Sequence, residues 1–434
     1  MMDLLVIGAG LSGLMAAVTA ARAGLSVRVI AKGLGSLHWT AGTMDVLGYL
    51  SSQERHVRRP LEQVQVLADT QPHHPYMLAD GALADSLNHF VALSTEIGLP
   101  YQGAATSGDN LLLPSPVGAA RPTYLAPDAQ LAGDLNRTEP MLIVGFDGLR
   151  DFYPALIAEN LSKQGHAARA AFLPLGLLTG RRDSSTVHLA QALDNPARRE
   201  RLGGELKKLV EPGERVGLPA IVGLEDHSGA FAELQQQVGA PLFEIPTLPP
   251  SVPGIRLFRA LRNQLQNMGV RVEIGMEVIG FEAENSQSAS DHRSPAIPKL
   301  IQWVETETSA RPLRHHARYF LLATGGILGG GINSDHTGRI WETIFDLPIT
   351  IPTDRSQWFR PQFLDPAGQP VFHGGVPVNR QFQPIDDGAL VYANLRACGG
   401  ILAGTDPIRE HSLEGIAIAT GMAASQSIIR TPKD

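Results

Sequence analysis

The 434-residue chain carries 36 Lys and Arg against 43 Asp and Glu, a formal net charge of −7, with 43% hydrophobic and 18% charged residues. That balance excludes wholesale disorder and offers no general attraction to nucleic acid or an anionic membrane; the length implies two lobes. Cys398 is the only cysteine, which excludes an internal disulfide and a four-cysteine iron–sulfur cluster; no metal site is expected.

The first ten residues lack the basic start and cleavage site of a signal peptide. Nowhere do about 20 apolar residues run together, so the sequence predicts a cytoplasmic chain without a membrane-spanning helix. Leu4 to Ile7 reads as a parallel strand buried on both faces, followed by a glycine-rich turn. A helix from Leu14 to Ala23, a left-handed cap at Gly24 and a strand from Leu25 to Ala31 complete a βαβ unit. Further on, the pattern predicts a helix at Leu83–Ile97, a Pro- and Gly-rich stretch at Leu113–Pro127, a strand at Met141–Val144 and a helix at Phe152–Ser162. A short strand is expected at Ala220–Gly223, irregular backbone through the prolines of Ile245–Gly254, and a helix at Ile255–Asn267. Val270–Ile274 and Glu277–Glu282 are expected to pair as strands, with an exposed loop or a mobile hairpin tip over Glu284–Pro298 and a strand at Tyr319–Ala323. Gly388 to Arg430 reads as strand, glycine turn and long Ala/Ile-rich helix.

Gly8-Ala9-Gly10-Leu11-Ser12-Gly13 fits G-x-G-x-x-G between a strand and a helix. In that context Gly8 permits the tight turn, Gly10 lets a phosphate approach the backbone, and Gly13 packs helix on strand. The free N–H groups and positive dipole end of the helix then face the phosphate. The acidic residue that would bind an adenosine ribose is absent, and Ala31-Lys32-Gly33 fills its place. Lys32 attracts phosphate and cannot accept hydrogen bonds from a diol. Three readings stay open: FAD held without the usual acid, FMN with its phosphate near this loop, or a merely solvated lysine. Ser36-Leu37-His38-Trp39-Thr40-Ala41-Gly42-Thr43 follows where a ring system would lie, with His38 either placing a proton or serving as a structural hydrogen-bonder. Ala323-Thr324-Gly325-Gly326 closes a buried strand and lets the backbone pass close to the first glycine turn. Near the C-terminus, Gly399-Gly400 and Asp406 precede a helix whose Gly415, Ile416 and Ala417 amides are expected to face a flavin's pyrimidine end, where the helix dipole stabilises negative charge. Cys398 reads as packing.

Together these pieces resemble the two-glycine-site flavoproteins, the class of fumarate reductase and succinate dehydrogenase flavoprotein subunits. More closely, Ser36–Asp45, Gly145–Phe152 and Leu248–Leu257 are similar to the B subunits of anaerobic glycerol-3-phosphate dehydrogenase. The resemblance implies an α/β fold: a Rossmann-like flavin-binding lobe with a parallel sheet (1–50, 251–335 and 388–434), interrupted by a mixed α/β second lobe or cap (51–250 and 336–387). It implies oxidation of glycerol 3-phosphate to dihydroxyacetone phosphate, with electrons passing to membrane quinones. FMN is the implied cofactor, FAD the alternative. The implied partners are the flavoprotein A subunit and the iron–sulfur C subunit, which holds the complex at the inner face of the membrane. The cofactor-contacting set is then Gly8, Gly10, Gly13, Lys32, Ser36, His38, Thr40, Gly42, Val278, Ala323, Thr324, Gly325, Gly400, Asp406, Gly415, Ile416 and Ala417. Catalytic candidates are His38, His373, Arg256 and Arg396: an Arg clamps a substrate phosphate, and a His takes the hydroxyl proton. Two rival readings are a fumarate-reductase-like enzyme acting on another small acid, and a non-catalytic Rossmann partner protein.

Overall fold

The computed structural model describes residues 2–50, 55–79, 81–181, 184–285, 298–307, 311–363, 365 and 367–431. β1 (Met2–Ile7) leads through the glycine turn into α1 (Leu11–Arg22) and β2 (Val27–Ala31). The helix starts three residues before the expected Leu14, because the glycine turn itself enters helical geometry at Leu11. After α2 (Leu83–Glu96), the chain forms a small antiparallel hairpin of β3 (Leu111–Pro114) and β4 (Ala120–Thr123), inside the stretch read as Pro- and Gly-rich.

Four parallel strands then build a separate sheet: β5 (Met141–Asp147), β6 (Ala168–Pro174), β7 (Arg215–Pro219) and β8 (Leu242–Ile245), in the order β8-β7-β5-β6. Its apolar cluster, centred on Leu142, Ile143, Val144, Leu218 and Phe243, is distinct from that of the first sheet. The strand expected at Ala220–Gly223 lies earlier, at Arg215–Pro219. Ala220–Gly223 is the loop at its end, where the Val222 amide donates to the Glu244 carboxylate at 2.7 Å. α3 (His227–Val238) precedes β8.

α4 (Val252–Asn267) returns the chain to the first sheet. It begins before the expected Ile255 because Pro253 occupies the first turn, where no backbone donor is needed, and Ser251 Oγ caps it by accepting from Gly254 N at 3.0 Å. β9 (Arg271–Ile274) joins β2 in parallel, while β10 (Val278–Asn285) pairs antiparallel with β11 (Lys299–Thr306). The expected pairing of these two neighbours is therefore wrong: the turn at Gly275 sends one into the parallel sheet and the other into a meander. The loop expected over Glu284–Pro298 lies, for residues 286–297, outside the described residues.

β12 (Leu313–Leu322) does two jobs. Its first half pairs antiparallel with β11, and its second half lies parallel between β1 and β13 (Leu395–Ala397). The result is a five-stranded parallel order β9-β2-β1-β12-β13, closed by α5 (Leu413–Ile429) packed on α1. Leu4, Leu5, Val6, Phe320, Leu321 and Leu322 are fully buried at its centre, each side chain contributing about 1.5–3 kcal/mol. In such a sheet, ligands bind beyond the carboxyl ends of the strands. Ile7, Ala31, Leu322 and Ala397 stand at those ends.

Candidate functional site

Beyond Ile7 the chain turns at Gly8, whose φ of +120° suits glycine and whose absent Cβ would lie 2.2 Å from the Ala323 carbonyl oxygen. A Cβ on Gly13 would lie 2.1 Å from the Gly8 carbonyl oxygen. Strand, turn, helix and the Ala323-Thr324-Gly325 run are thus packed backbone to backbone. Gly10 differs: a Cβ there meets nothing within 4 Å. It is the N-cap of α1, supplies no side-chain cap, and is followed by a first turn without acidic residues. The amino end of α1 therefore offers donors and a positive dipole to an anion in open space.

Lys32, at the end of β2, is ion-paired with Glu277, Nζ to Oε1 at 2.7 Å, beside Val278 at the start of β10. The pair is exposed, so it holds its partners weakly. It also places a carboxylate where the sequence showed only a lysine. Ser36, Leu37 and His38 form one 3-10 turn clamped onto the start of α4: Ser251 N donates to the His38 carbonyl at 2.7 Å, and a Cβ on Gly254 would lie 1.6 Å from the Leu37 carbonyl oxygen. Tyr101 Oη donates to the Gly42 carbonyl at 2.5 Å and fixes the next bend. Burial holds the half-buried His38 imidazole below its ordinary pKa, which favours the neutral ring.

Three buried polar atoms along this path, His38 Nδ1, Thr40 Oγ1 and Thr324 Oγ1, have no hydrogen-bond partner among the described residues. Buried polar groups are normally satisfied. Thr324 Oγ1 lies over Gly331 and the His38 ring meets that of Phe258 edge-on, so these unmet atoms leave donors and acceptors on the second glycine run and on the 36–42 loop for a bound group. Gly400 completes the wall, since a Cβ on Gly326 would lie 2.5 Å from its carbonyl oxygen.

Several expected contacts are used otherwise. The Gly415 amide donates to the Asp45 carbonyl at 2.9 Å and the Ile416 amide to the Ser412 carbonyl, while Ala417 lies a turn inside α5; none of these amides is free for a ring. Asp406 Oδ1 accepts from Arg409 N and caps the short helix Pro407–Glu410. Arg256 is 5% exposed and pairs with both Glu244 oxygens, at 2.5 and 3.1 Å, while Nε donates to the Gly223 carbonyl and Nη2 to that of Val222. It ties α4 to β8 and does not clamp substrate. Burial opposes Glu244 ionisation, but the Arg256 charge, with hydrogen bonds from Arg256 and the Val222 amide, outweighs it and keeps the carboxyl low. Arg396 is likewise buried, its Nε on Ser427 Oγ at 3.2 Å and its Nη1 on the Ala393 and Leu395 carbonyls, and burial lowers its pKa to about 10. It ties β13 to α5. His373 ends the short helix Pro370–His373, where its carbonyl accepts from Gly404 N at 3.0 Å.

Sequence reasoning missed a different cluster. Asp45, just past the 36–42 loop, accepts from Thr123 Oγ1 at 2.5 Å, Thr43 Oγ1 at 2.9 Å and Arg121 Nη1 at 3.3 Å. His411 Nδ1 stands 3.9 Å from the other Asp45 oxygen, and its ring meets that of Tyr49 edge-on at 5.0 Å. Glu414, in the first turn of α5, is buried beside them; burial, reinforced by Asp45, drives its carboxyl well above the usual range and keeps it neutral. The one local signal was charge at a buried helix start, Glu410-His411-Ser412-Leu413-Glu414. Nothing in the sequence linked it to Arg121.

The FAD binding domain family model matches residues 3–416. The chain is 31% identical over 437 residues to the B subunit of anaerobic glycerol-3-phosphate dehydrogenase from Yersinia pestis bv. Antiqua, covering 98% of each chain. It is 30% identical to the corresponding B subunit of Aliivibrio fischeri, covering 98% of this chain and 95% of that protein. Among solved structures it is similar to 3-ketosteroid delta1-dehydrogenase from Sterolibacterium denitrificans, at 11% identity and a TM-score of 0.45, covering 99% and 100%. The chain belongs to the FAD binding domain family and, within it, to the family of anaerobic glycerol-3-phosphate dehydrogenase B subunits, and is a flavin-dependent oxidoreductase acting within a complex.

Proposed function

We propose that this chain is the flavin-bearing B subunit of an anaerobic glycerol-3-phosphate dehydrogenase. In this reading the complex oxidises glycerol 3-phosphate to dihydroxyacetone phosphate and sends electrons through the A and C subunits to membrane quinones. The observation that carries it is the uncapped amino end of α1 at Gly10, open to an anion, with Gly8 just before it packed against Ala323 at the start of the second glycine run. The relatives' shared name over the whole length supports the substrate. In this reading residues 1–50, 251–335 and 388–434 form the flavin-binding part and 51–250 with 336–387 the inserted lobe; the separate apolar cluster between Ala129 and Ile245 supports the lobe there, whereas Val57, Leu125, Phe345 and Phe382 pack in the first sheet's cluster. No described helix is long and apolar enough to cross a membrane, so attachment at the inner face falls to a partner.

FAD is the proposed cofactor. FMN is what the resemblance implies; the match of residues 3–416 to the FAD binding domain family favours FAD, and the Lys32–Glu277 pair brings a carboxylate near the end of β2, where the sequence showed none. Gly8, Gly10, Gly13, Ala323, Thr324 and Gly325 hold the phosphate end; Ser36, His38, Thr40, Gly42 and Gly400 lie along the rest, with Val278 and Lys32 at the far rim. A flavin there supplies the two-electron acceptor for alcohol oxidation. The chain contributes placement, exclusion of water by the clamped 36–42 loop, and a neutral imidazole at His38 able to receive a proton. Purified protein is expected to carry flavin, released by acid as FAD, that bleaches with glycerol 3-phosphate when the A subunit is present. Flavin that stays oxidised with and without that partner removes this chain from the electron path.

A further inference from the structure

We propose that Arg121, Asp45 and His411 form an anion subsite that receives the phosphate of the substrate, with His411 taking up a proton as the phosphate enters. The proposal deepens the dehydrogenase reading and rests on it for the identity of the ligand. Its geometric basis is the guanidinium of Arg121. Nη1 is engaged by Thr43 at 2.7 Å and by Asp45, while Nε and Nη2 are buried with no partner among the described residues. Those two atoms form one edge of the guanidinium, the two-donor fork that matches two oxygens of a phosphate or carboxylate. An arginine side chain only 13% exposed, held by its other nitrogen and presenting an unmet fork, is oriented for a ligand.

The second observation is His411. Its Nδ1 is also buried without a hydrogen-bond partner, and it sits against the same Asp45 carboxylate that Arg121 touches. The Gly48 and Tyr49 amides both donate to the Glu410 carbonyl and pin the segment, and His411 itself adopts a φ of +49°. Asp45 is thus the hub that orients both groups, a positioning residue. A tetrahedral phosphate on the fork keeps oxygens free for a further donor, whereas a planar carboxylate is filled by the fork alone.

The groups facing His411 are Asp45, Arg121 and Tyr49, with Glu414 behind Asp45; Glu410 is turned away onto His74, Thr405 and Ser412. Arg121 and Asp45 cancel, Glu414 is neutral, and burial together with Arg121 keeps His411 neutral against the pull of Asp45. A dianion entering this balanced site brings unmet charge, and the imidazole is the group able to meet it. Phosphate binding therefore strengthens as pH falls, with one proton taken up.

Isothermal titration of the purified full chain with sn-glycerol 3-phosphate, inorganic phosphate and succinate, in two buffers of different ionisation enthalpy, tests this. Both phosphates are expected to bind with proton uptake, and succinate weakly. Arg121→Gln is expected to weaken phosphate binding about 100-fold. Because that change also loosens Asp45, His411→Asn gives an independent reading: binding persists and proton uptake disappears. No phosphate binding by the native chain, native affinity in Arg121→Gln, or proton uptake surviving in His411→Asn overturns the subsite. Arg121-dependent binding of succinate in preference to both phosphates overturns the phosphate assignment. Arg121-dependent phosphate binding in a chain whose flavin is never reduced by glycerol 3-phosphate upholds the subsite and strikes the dehydrogenase reading alone.

Discussion

Substituting Gly10 by Val separates the phosphate turn's two duties, folding and binding. Gly10 has an extended backbone, φ −72° and ψ 176°, which valine adopts readily, and the space its Cβ would enter is open for 4 Å. The cost to the fold is the difference between Gly and Val at an N-cap, about 1 kcal/mol. For the cofactor the same branched side chain stands where a phosphate must approach. Losing two charge-assisted backbone hydrogen bonds, at about 1.5–3 kcal/mol each, removes about 3–6 kcal/mol, or about 100- to 20,000-fold in affinity. The ratio of flavin absorbance to protein absorbance after gel filtration reads the second effect, and thermal unfolding of flavin-free protein reads the first. Gly8→Ala is the counterpart, since its Cβ would stand 2.2 Å from a carbonyl oxygen at φ +120°, so it is expected to destabilise the apoprotein itself. Normal flavin content in Gly10→Val protein would refute the placement of the phosphate.

The Arg256–Glu244 pair predicts a structural defect: Arg256→Met leaves a carboxylate buried and alone, at about 3–5 kcal/mol of stability in urea unfolding, whereas Arg256→Met with Glu244→Leu is expected to recover much of it. His227, pushed down to about 4 by burial and the nearby Arg256, must fold neutral. Its contribution is therefore present above the unfolded value near 6.5 and lost as pH falls towards 4, about 2 kcal/mol by pH 5; His227→Gln is expected to flatten the decline in unfolding midpoint over that window, and an unchanged slope would count against it. Burial raises the Cys398 thiol to about 12, so a thiol reagent is expected to react with native protein only at the rate of unfolding, and prompt modification at neutral pH would show the site to be open.

What was legible in the sequence was what neighbours decide. The phosphate turn, α1, β2 and α5 follow from short-range pattern, because glycine spacing and apolar runs act over a few residues. Strand partners did not follow. β9 and β10 are adjacent in sequence, yet one pairs with β2 and the other with β11, a choice made by the sheet. Arg256 and Arg396 looked functional because they lie in resembling or glycine-flanked segments; only the structure shows their donors occupied by Glu244, Gly223 and Ser427. Arg121 carried no signal, since its meaning comes from Asp45 and His411, which lie far from it along the chain in opposite directions.

The segment from Ser36 to Tyr49 connects the proposed cofactor wall to the proposed anion subsite. At its start it is locked to α4 through His38 and Leu37; at its end Gly48 and Tyr49 are locked to Glu410 just before α5. Between them Met44 exchanges hydrogen bonds with Leu125 and Tyr124, just past β4. A short run of chain with no regular structure beyond one turn is thus tied to α4, to the chain just past the hairpin bearing Arg121 and to the residue before the last helix at once. Movement of any one of these changes where the orphaned donors of Arg121 point relative to His38 and Thr40. The unmet polar atoms at both ends of this run are the same physical statement made twice: the chain has spent its own hydrogen-bond partners on the scaffold and left the remaining donors and acceptors to what binds.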